Sequence, residues 1–143
     1  MSRGPDILIA GGGLAGCLAA LALAERRPDV SFLLVEGGAS FGGNHIWSFF
    51  DSDVDEDAEA IVRPLVARRW DRYDILFPRR RRTLPAGYNA VTSDLLDAHV
   101  RATLRPDQYR LGTRIEALAP THVTLAGGER IEASGVIDAR GAA

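Results

Sequence analysis

Hydrophobic and polar positions give their clearest signal up to Glu36. Ile7-Leu8-Ile9-Ala10 follows Asp6 as a short, mostly apolar run, the pattern of a strand buried on both faces. Residues 14–24 are rich in leucine and alanine, both strong helix formers. Glu25-Arg26-Arg27 closes that run with polar residues, and Pro28-Asp29 turns the chain. Val30-Ser31-Phe32-Leu33-Leu34-Val35-Glu36 reads as a second strand. Together these predict one βαβ unit with a right-handed crossover.

Farther along, the pattern predicts a helix near 56–62, its first turn favoured by the acids around it. Tyr73-Asp74-Ile75-Leu76-Phe77 and Tyr88-Asn89-Ala90-Val91-Thr92 read as strands, with Pro78 and Pro85 as brackets. Thr92 or Ser93 caps a predicted helix through Leu104, in which Leu95, Leu96, His99, Val100 and Leu104 keep helical spacing. Residues 109–118 and 122–125 read as strands, and Gly127-Gly128 makes a hairpin turn into Arg130-Ile131-Glu132. Val136-Ile137-Asp138-Ala139 returns to the parallel sheet, which makes the fold class α/β.

The length of 143 residues fits one domain, 1–143, and 25% charged with 46% hydrophobic residues is the balance of a globular protein. A net charge of -2 excludes a strongly basic nucleic-acid binder. The single cysteine, Cys17, forms no internal bridge, so no oxidising compartment is implied. The uncharged run 7–24 reaches the length of a membrane span, Arg3 precedes it, and Ala22-Leu23-Ala24 resembles a signal-peptidase site. Against that stand Gly11, Gly12, Gly13 and Gly16 inside the run, each costing about 0.8–1 kcal/mol in a helix. Asp6 also lies where a signal peptide prefers positive charge.

The strand–turn–helix reading places Gly11-x-Gly13-x-x-Gly16 where a dinucleotide fingerprint belongs. Gly11 permits the tight turn, Gly13 lets the backbone approach a pyrophosphate, and Gly16 lets helix and strand pack closely. Gly12, Leu14 and Ala15 complete the turn and open the helix, whose free N–H groups and partial positive charge suit phosphate. Glu36 follows Gly16 by 20 residues, the place of a carboxylate that accepts hydrogen bonds from an adenosine ribose and repels a 2′-phosphate. An NAD domain would continue with a helix and a third strand. Here Gly37-Gly38-Ala39-Ser40-Phe41-Gly42-Gly43-Asn44-His45 follows, similar to the second glycine pair of many FAD enzymes of the glutathione-reductase type. Gly42, Gly43 and Asn44 therefore join the candidate FAD contacts, although an ordinary surface turn uses the same residues.

Gly42-Gly43-Asn44-His45-Ile46-Trp47-Ser48-Phe49 closely resembles the segment after the FAD fingerprint of bacterial lycopene β-cyclases. Pro64-Leu65-Val66-Ala67-Arg68-Arg69-Trp70, Gly87-Tyr88, Thr92-Ser93 and Val136-Ile137-Asp138-Ala139-Arg140-Gly141 extend the resemblance over nearly the whole chain. It implies a Rossmann-like FAD-binding domain with a parallel sheet and antiparallel crossover strands. Residues 44–92 would be an insertion contributing to a substrate region. It also implies a flavoenzyme that protonates lycopene, closes the carbocation to a six-membered ring and releases a proton to give the β end group. That net isomerisation would need reduced FAD, with NAD(P)H as reductant. The long hydrocarbon substrate implies a cytoplasmic enzyme peripheral to the inner membrane.

Family members run to several hundred residues, and their acidic segment of consecutive glutamates would lie beyond Ala143. No catalytic residue is therefore assigned here, and the chain is expected to be the N-terminal, inactive part of a cyclase, prone to self-association where its sheet is uncovered. Another flavoenzyme, such as an aromatic-ring monooxygenase or prenyl reductase, and a non-catalytic nucleotide-binding module are the alternatives. The spacing Asp51-x-Asp53-x-Asp55 is similar to a calcium loop, but its sixth position is Glu56 and its twelfth Val62, so no metal site is assigned. Arg79-Arg80-Arg81-Arg82 reads as a soluble strand edge or loop, or as an attraction to anionic headgroups. His45 reads as a loop hydrogen-bonder, His99, Cys17 and Trp47 as packing residues, and His122 as exposed. Asp138 and Arg140 approach the flavin by analogy alone.

Overall fold

The computed structural model describes residues 4–141. Arg3, the positive flank of the apolar run, lies outside them. The run itself is divided between strand β1 (Ile7–Ala10), a glycine turn and helix α1 (Leu14–Arg26), and strand β2 (Phe32–Val35) follows. Among the described residues no helix is long and apolar enough to cross a membrane.

Beyond the glycine-rich loop come β3 (Ile46–Phe50), α2 (Glu56–Val62), β4 (Arg68–Trp70), β5 (Tyr73–Phe77), β6 (Arg80–Leu84) and β7 (Tyr88–Thr92). Helix α3 (Ser93–Thr103), β8 (Tyr109–Arg110), β9 (Ile115–Ala119), β10 (His122–Leu125), β11 (Arg130–Glu132) and β12 (Gly135–Asp138) complete the chain. The central sheet runs β12-β1-β2-β8, parallel throughout.

Successive residues of a strand face opposite sides, and both sides of this sheet are covered. Ile9 and Leu34 enter a core with Cys17, Ala20, Leu96 and Val100 of the helices. Leu8, Ala10, Leu33 and Val35 instead meet Val123, Leu125 and Ile131 of the antiparallel sheet β11-β10-β9. Burial on both faces is why β1 and β2 are continuously apolar. The expected α/β fold, with a parallel sheet and antiparallel crossover strands, is the fold found.

Local signals explain the caps. The Thr92 hydroxyl accepts the Leu95 N–H at 3.3 Å to start α3, and Asp55 accepts the Ala58 N–H at 2.8 Å to start α2. Other acids of the Asp51–Glu59 stretch have local tasks too: Asp53 accepts the Phe50 N–H, and Asp51 holds Arg69 and Asn89.

Two expectations change and one is met. The predicted strand 109–118 divides, because Gly112 takes φ +60° and turns the chain from β8 in the parallel sheet to β9 in the crossover sheet. The arginine run is the expected exposed strand edge, lying mostly within β6, paired antiparallel with β5. His122 is half-buried rather than exposed, and its Nδ1 is enclosed without a hydrogen-bond partner.

Candidate cofactor site

The fingerprint turn is built by close approaches. Gly11 takes φ +106°, donates its N–H to the Val35 carbonyl at 2.8 Å, and leaves only 2.7 Å between a hypothetical Cβ and the Ala139 carbonyl oxygen. A Cβ on Gly16 would fall 1.9 Å from the Gly11 carbonyl oxygen, so helix and strand meet there backbone to backbone.

Gly13 differs from both. Its φ of -72° is open to any residue, yet a Cβ on it would meet nothing within 4 Å. It is the N-cap of α1, no side chain caps the helix, and the first turn holds no acid. The opening amides of α1 thus face open space with the partial positive charge of a 13-residue helix.

Glu36 ties the turn to the loop beyond β2. Its Oε2 accepts the Gly12 N–H and its Oε1 the Gly38 N–H, both at 2.7 Å. Each carboxylate oxygen retains capacity for another donor. The Gly42 N–H donates to the Gly12 carbonyl at 2.8 Å, lacing the second glycine pair onto the first. Gly42 is buried at φ +77° against Trp47, Leu96 and Ser93, whereas Gly43 at φ +61° has no neighbour in the Cβ direction. Asp97 fixes the same loop by accepting the Phe41 N–H at 2.8 Å.

A trough of about 360 Å³ runs along these residues, lined by Gly11, Gly12, Gly13, Glu36, Gly42 and Gly43. A second, of about 480 Å³, adjoins it through Gly13, Gly42, His45, Ala139 and Arg140 and adds Leu14, Ala15 and Trp47. Of the predicted site residues, Gly16 lies beneath as the packing contact, and Asn44 is exposed and lines neither trough. His45 and Trp47 stack with centroids 5.5 Å apart at 25°.

Thr113, Arg114 and Ile115 also line the first trough, and no pattern in the sequence marks them. They arrive because the Thr113 N–H donates to the Glu36 carbonyl at 2.9 Å just after the Gly112 turn. Gly112 is the one local signal that the chain changes sheets there.

Two titrating groups frame the site. Hydrogen bonds donated by the Arg140 side chain and backbone N–H hold the Asp138 carboxyl at about 2, and the guanidinium is bidentate at 2.9 Å on both oxygens. Burial pushes the Cys17 thiol up to about 12, helped by the negative charges of Glu36 and Asp97, and its Sγ lies 3.3 Å from the Gly12 carbonyl. Cys17 is thus a packing residue of the turn, as its place in the sequence suggests.

The family described as lycopene cyclase protein matches residues 6–143. A lycopene beta-cyclase of Pseudescherichia vulneris is 39% identical over 136 residues, covering 95% of this chain and 35% of that protein. A lycopene beta-cyclase of a Paracoccus species is 40% identical over 138 residues, covering 96% of this chain and 35% of its own length. The chain therefore spans about a third of these curated relatives. Among solved structures, a 2-methyl-3-hydroxypyridine-5-carboxylic acid oxygenase superposes with a TM-score of 0.70 at 20% identity, over 94% of this chain and 39% of that one. A 2,6-dihydroxypyridine-3-hydroxylase from Arthrobacter nicotinovorans does so with 0.58 at 15%, over 95% and 37%. These two share the fold. By the family match along nearly its whole length, the chain belongs to the lycopene cyclase protein family.

Proposed function

We propose that the two adjoining troughs hold FAD, and that the complete polypeptide is a lycopene β-cyclase to which these 143 residues supply the cofactor-binding part. The observation that carries the reading is the unfilled space at Gly13. The backbone there does not require glycine, so the missing side chain leaves room for a group pressed against the first turn of α1. A pyrophosphate fits the free amides of that first turn, which holds no acid of its own.

Each residue then has a task. Gly11 and Gly12 shape the turn, Leu14 and Ala15 carry its helical amides, and Gly16 brings α1 against β1. Glu36, already anchored by two backbone N–H groups, presents its remaining acceptor capacity to ribose hydroxyls. Gly42 and Gly43, with Asn44 beside them, bring the loop backbone close to the far half of a long cofactor. Residues 44–92 contribute part of the substrate region. Reduced flavin, with NAD(P)H as reductant, would supply negative charge to stabilise the cation formed as lycopene cyclises. The chain's own contribution is to bind and orient: no acid here is assigned the proton transfer.

Releasing bound nucleotide from the purified polypeptide by denaturation, with identification by chromatography and mass, tests the cofactor. FAD supports the reading, whereas NAD overturns it. Expressing the complete polypeptide in lycopene-accumulating cells tests the reaction: β-ringed products are expected, and unchanged lycopene in the presence of folded, FAD-loaded protein defeats the cyclase assignment alone.

A further inference from the structure

We infer that Arg114 binds the adenine of the dinucleotide, its guanidinium plane stacked on the base. This rests on the FAD reading above and adds to it the residue that tells an adenine nucleotide from other nucleotides in the same trough.

The walls of the first trough set the order of groups along it. Gly13 borders both troughs, whereas Glu36 and Arg114 border the first alone. The Glu36 carboxylate stands between the fingerprint turn and the loop after β2, accepting the Gly12 N–H on one oxygen and the Gly38 N–H on the other. Residues 112–114 are laced to that loop. The Gly112 N–H donates to the Gly38 carbonyl at 2.8 Å, and the Thr113 N–H to the Glu36 carbonyl at 2.9 Å. From the crossover side, the Ala126 N–H donates to the Arg114 carbonyl at 2.9 Å. A Cβ built on Gly37 would lie 4.0 Å from the Cβ of Arg114. The backbone that carries Arg114 is thus pinned on two sides, while its side chain is exposed. With pyrophosphate at Gly13 and ribose at Glu36, the base of a dinucleotide falls at the Arg114 end.

The side chains at that end select the mode of contact. Two arginines line the trough, and Arg140 is taken by both oxygens of Asp138. The Arg114 guanidinium makes no hydrogen bond or ion pair with a described residue. The Thr113 hydroxyl is spent on the Leu111 carbonyl at 3.0 Å, and Ile115 offers only hydrocarbon. No phenylalanine, tyrosine or tryptophan lines the first trough, so the guanidinium is the planar group at this end that a base can lie against. Guanidinium planes stack on nucleobases and add a cation–π attraction. A phosphate is the other partner for a free guanidinium, but the Glu36 carboxylate beside it opposes a second anion there.

The test titrates FAD, ADP and UDP onto the complete polypeptide stripped of nucleotide, by flavin fluorescence for FAD and by displacement of FAD for the two diphosphates. R114A should weaken FAD roughly 2- to 30-fold. ADP should weaken by the same factor and UDP by less, because its single ring offers a smaller face, so the preference for ADP over UDP narrows. R114K keeps the charge without the plane and should lie nearer R114A than the unsubstituted protein. The thermal midpoint of the nucleotide-free protein should not move in either variant, since Arg114 is exposed and unpaired. Unchanged FAD affinity in R114A, full affinity in R114K, or equal losses of ADP and UDP would each overturn the assignment, the last by placing Arg114 on phosphate or ribose. An unsubstituted polypeptide that binds neither FAD nor ADP defeats the cofactor reading itself, and the assignment with it.

Discussion

Gly16 and Gly11 meet backbone to backbone, with 1.9 Å between the Gly11 carbonyl oxygen and the place where a Cβ on Gly16 would lie. That carbonyl belongs to the main chain and cannot swing aside. Gly16→Ala is therefore expected to force α1 off β1 and lower stability by about 1–3 kcal/mol or more, read as a lower urea midpoint. Gly13→Ala makes the opposite case: it should fold with a near-normal midpoint and lose FAD in a fluorescence titration, since its methyl enters only open space. Equal unfolding by both variants would contradict the division of tasks.

Glu36 accepts two backbone N–H groups at once. Glu36→Gln turns one acceptor into a donor facing a donor, leaving a glycine N–H unpaired at about 1–3 kcal/mol. FAD affinity measured by flavin fluorescence should fall roughly 5- to 150-fold for that loss. Hydrogen exchange at Gly12 or Gly38 should accelerate in the same variant.

The second glycine pair is unequal. Gly42→Ala places a methyl 3.0–3.2 Å from Trp47, Leu96 and Ser93 at a positive φ, so both crowding and strain act against it. Gly43→Asn should be tolerated, because asparagine accepts the left-handed region and nothing stands in its way. Thermal melts of the two variants check the contrast.

Two groups give opposite pH windows. The Cys17 thiol rises from an ordinary 9.0 to about 12, so its contribution to stability is whole below pH 9.0 and fades as pH climbs through about 12. Alkylation of Cys17 at pH 8 should accordingly await unfolding. Asp138 falls from 3.8 to about 2, so the Arg140 pair stabilises above pH 3.8 and is lost as pH drops through about 2. A carboxyl titration followed by NMR should place Asp138 well below its neighbours, and a midpoint near 4 would refute this.

The βαβ unit was legible because burial on both faces forces β1 and β2 to be continuously apolar, and because Gly11 and Gly16 have a backbone cause. The strands β3 and β4 gave little signal. Ile46 is 71% exposed, and all three residues of β4 lie at the surface, so no clean alternation of apolar and polar positions records their pairing. Thr113, Arg114 and Ile115 were hidden for another reason. Their place beside Glu36 comes from a long-range turn of the backbone, to which their side-chain types contribute no pattern.

The pairing of β1 with both β2 and β12 sets an order of events in synthesis. Residue 7 registers with residue 32 on one side and with residue 135 on the other. A nascent chain can close the first ladder early, but β1 keeps an open edge until almost the last described residues emerge. Such late, distant closure slows folding and exposes an apolar strand meanwhile. The unit that holds the fingerprint is thus made about a hundred residues before the strand that covers its second edge.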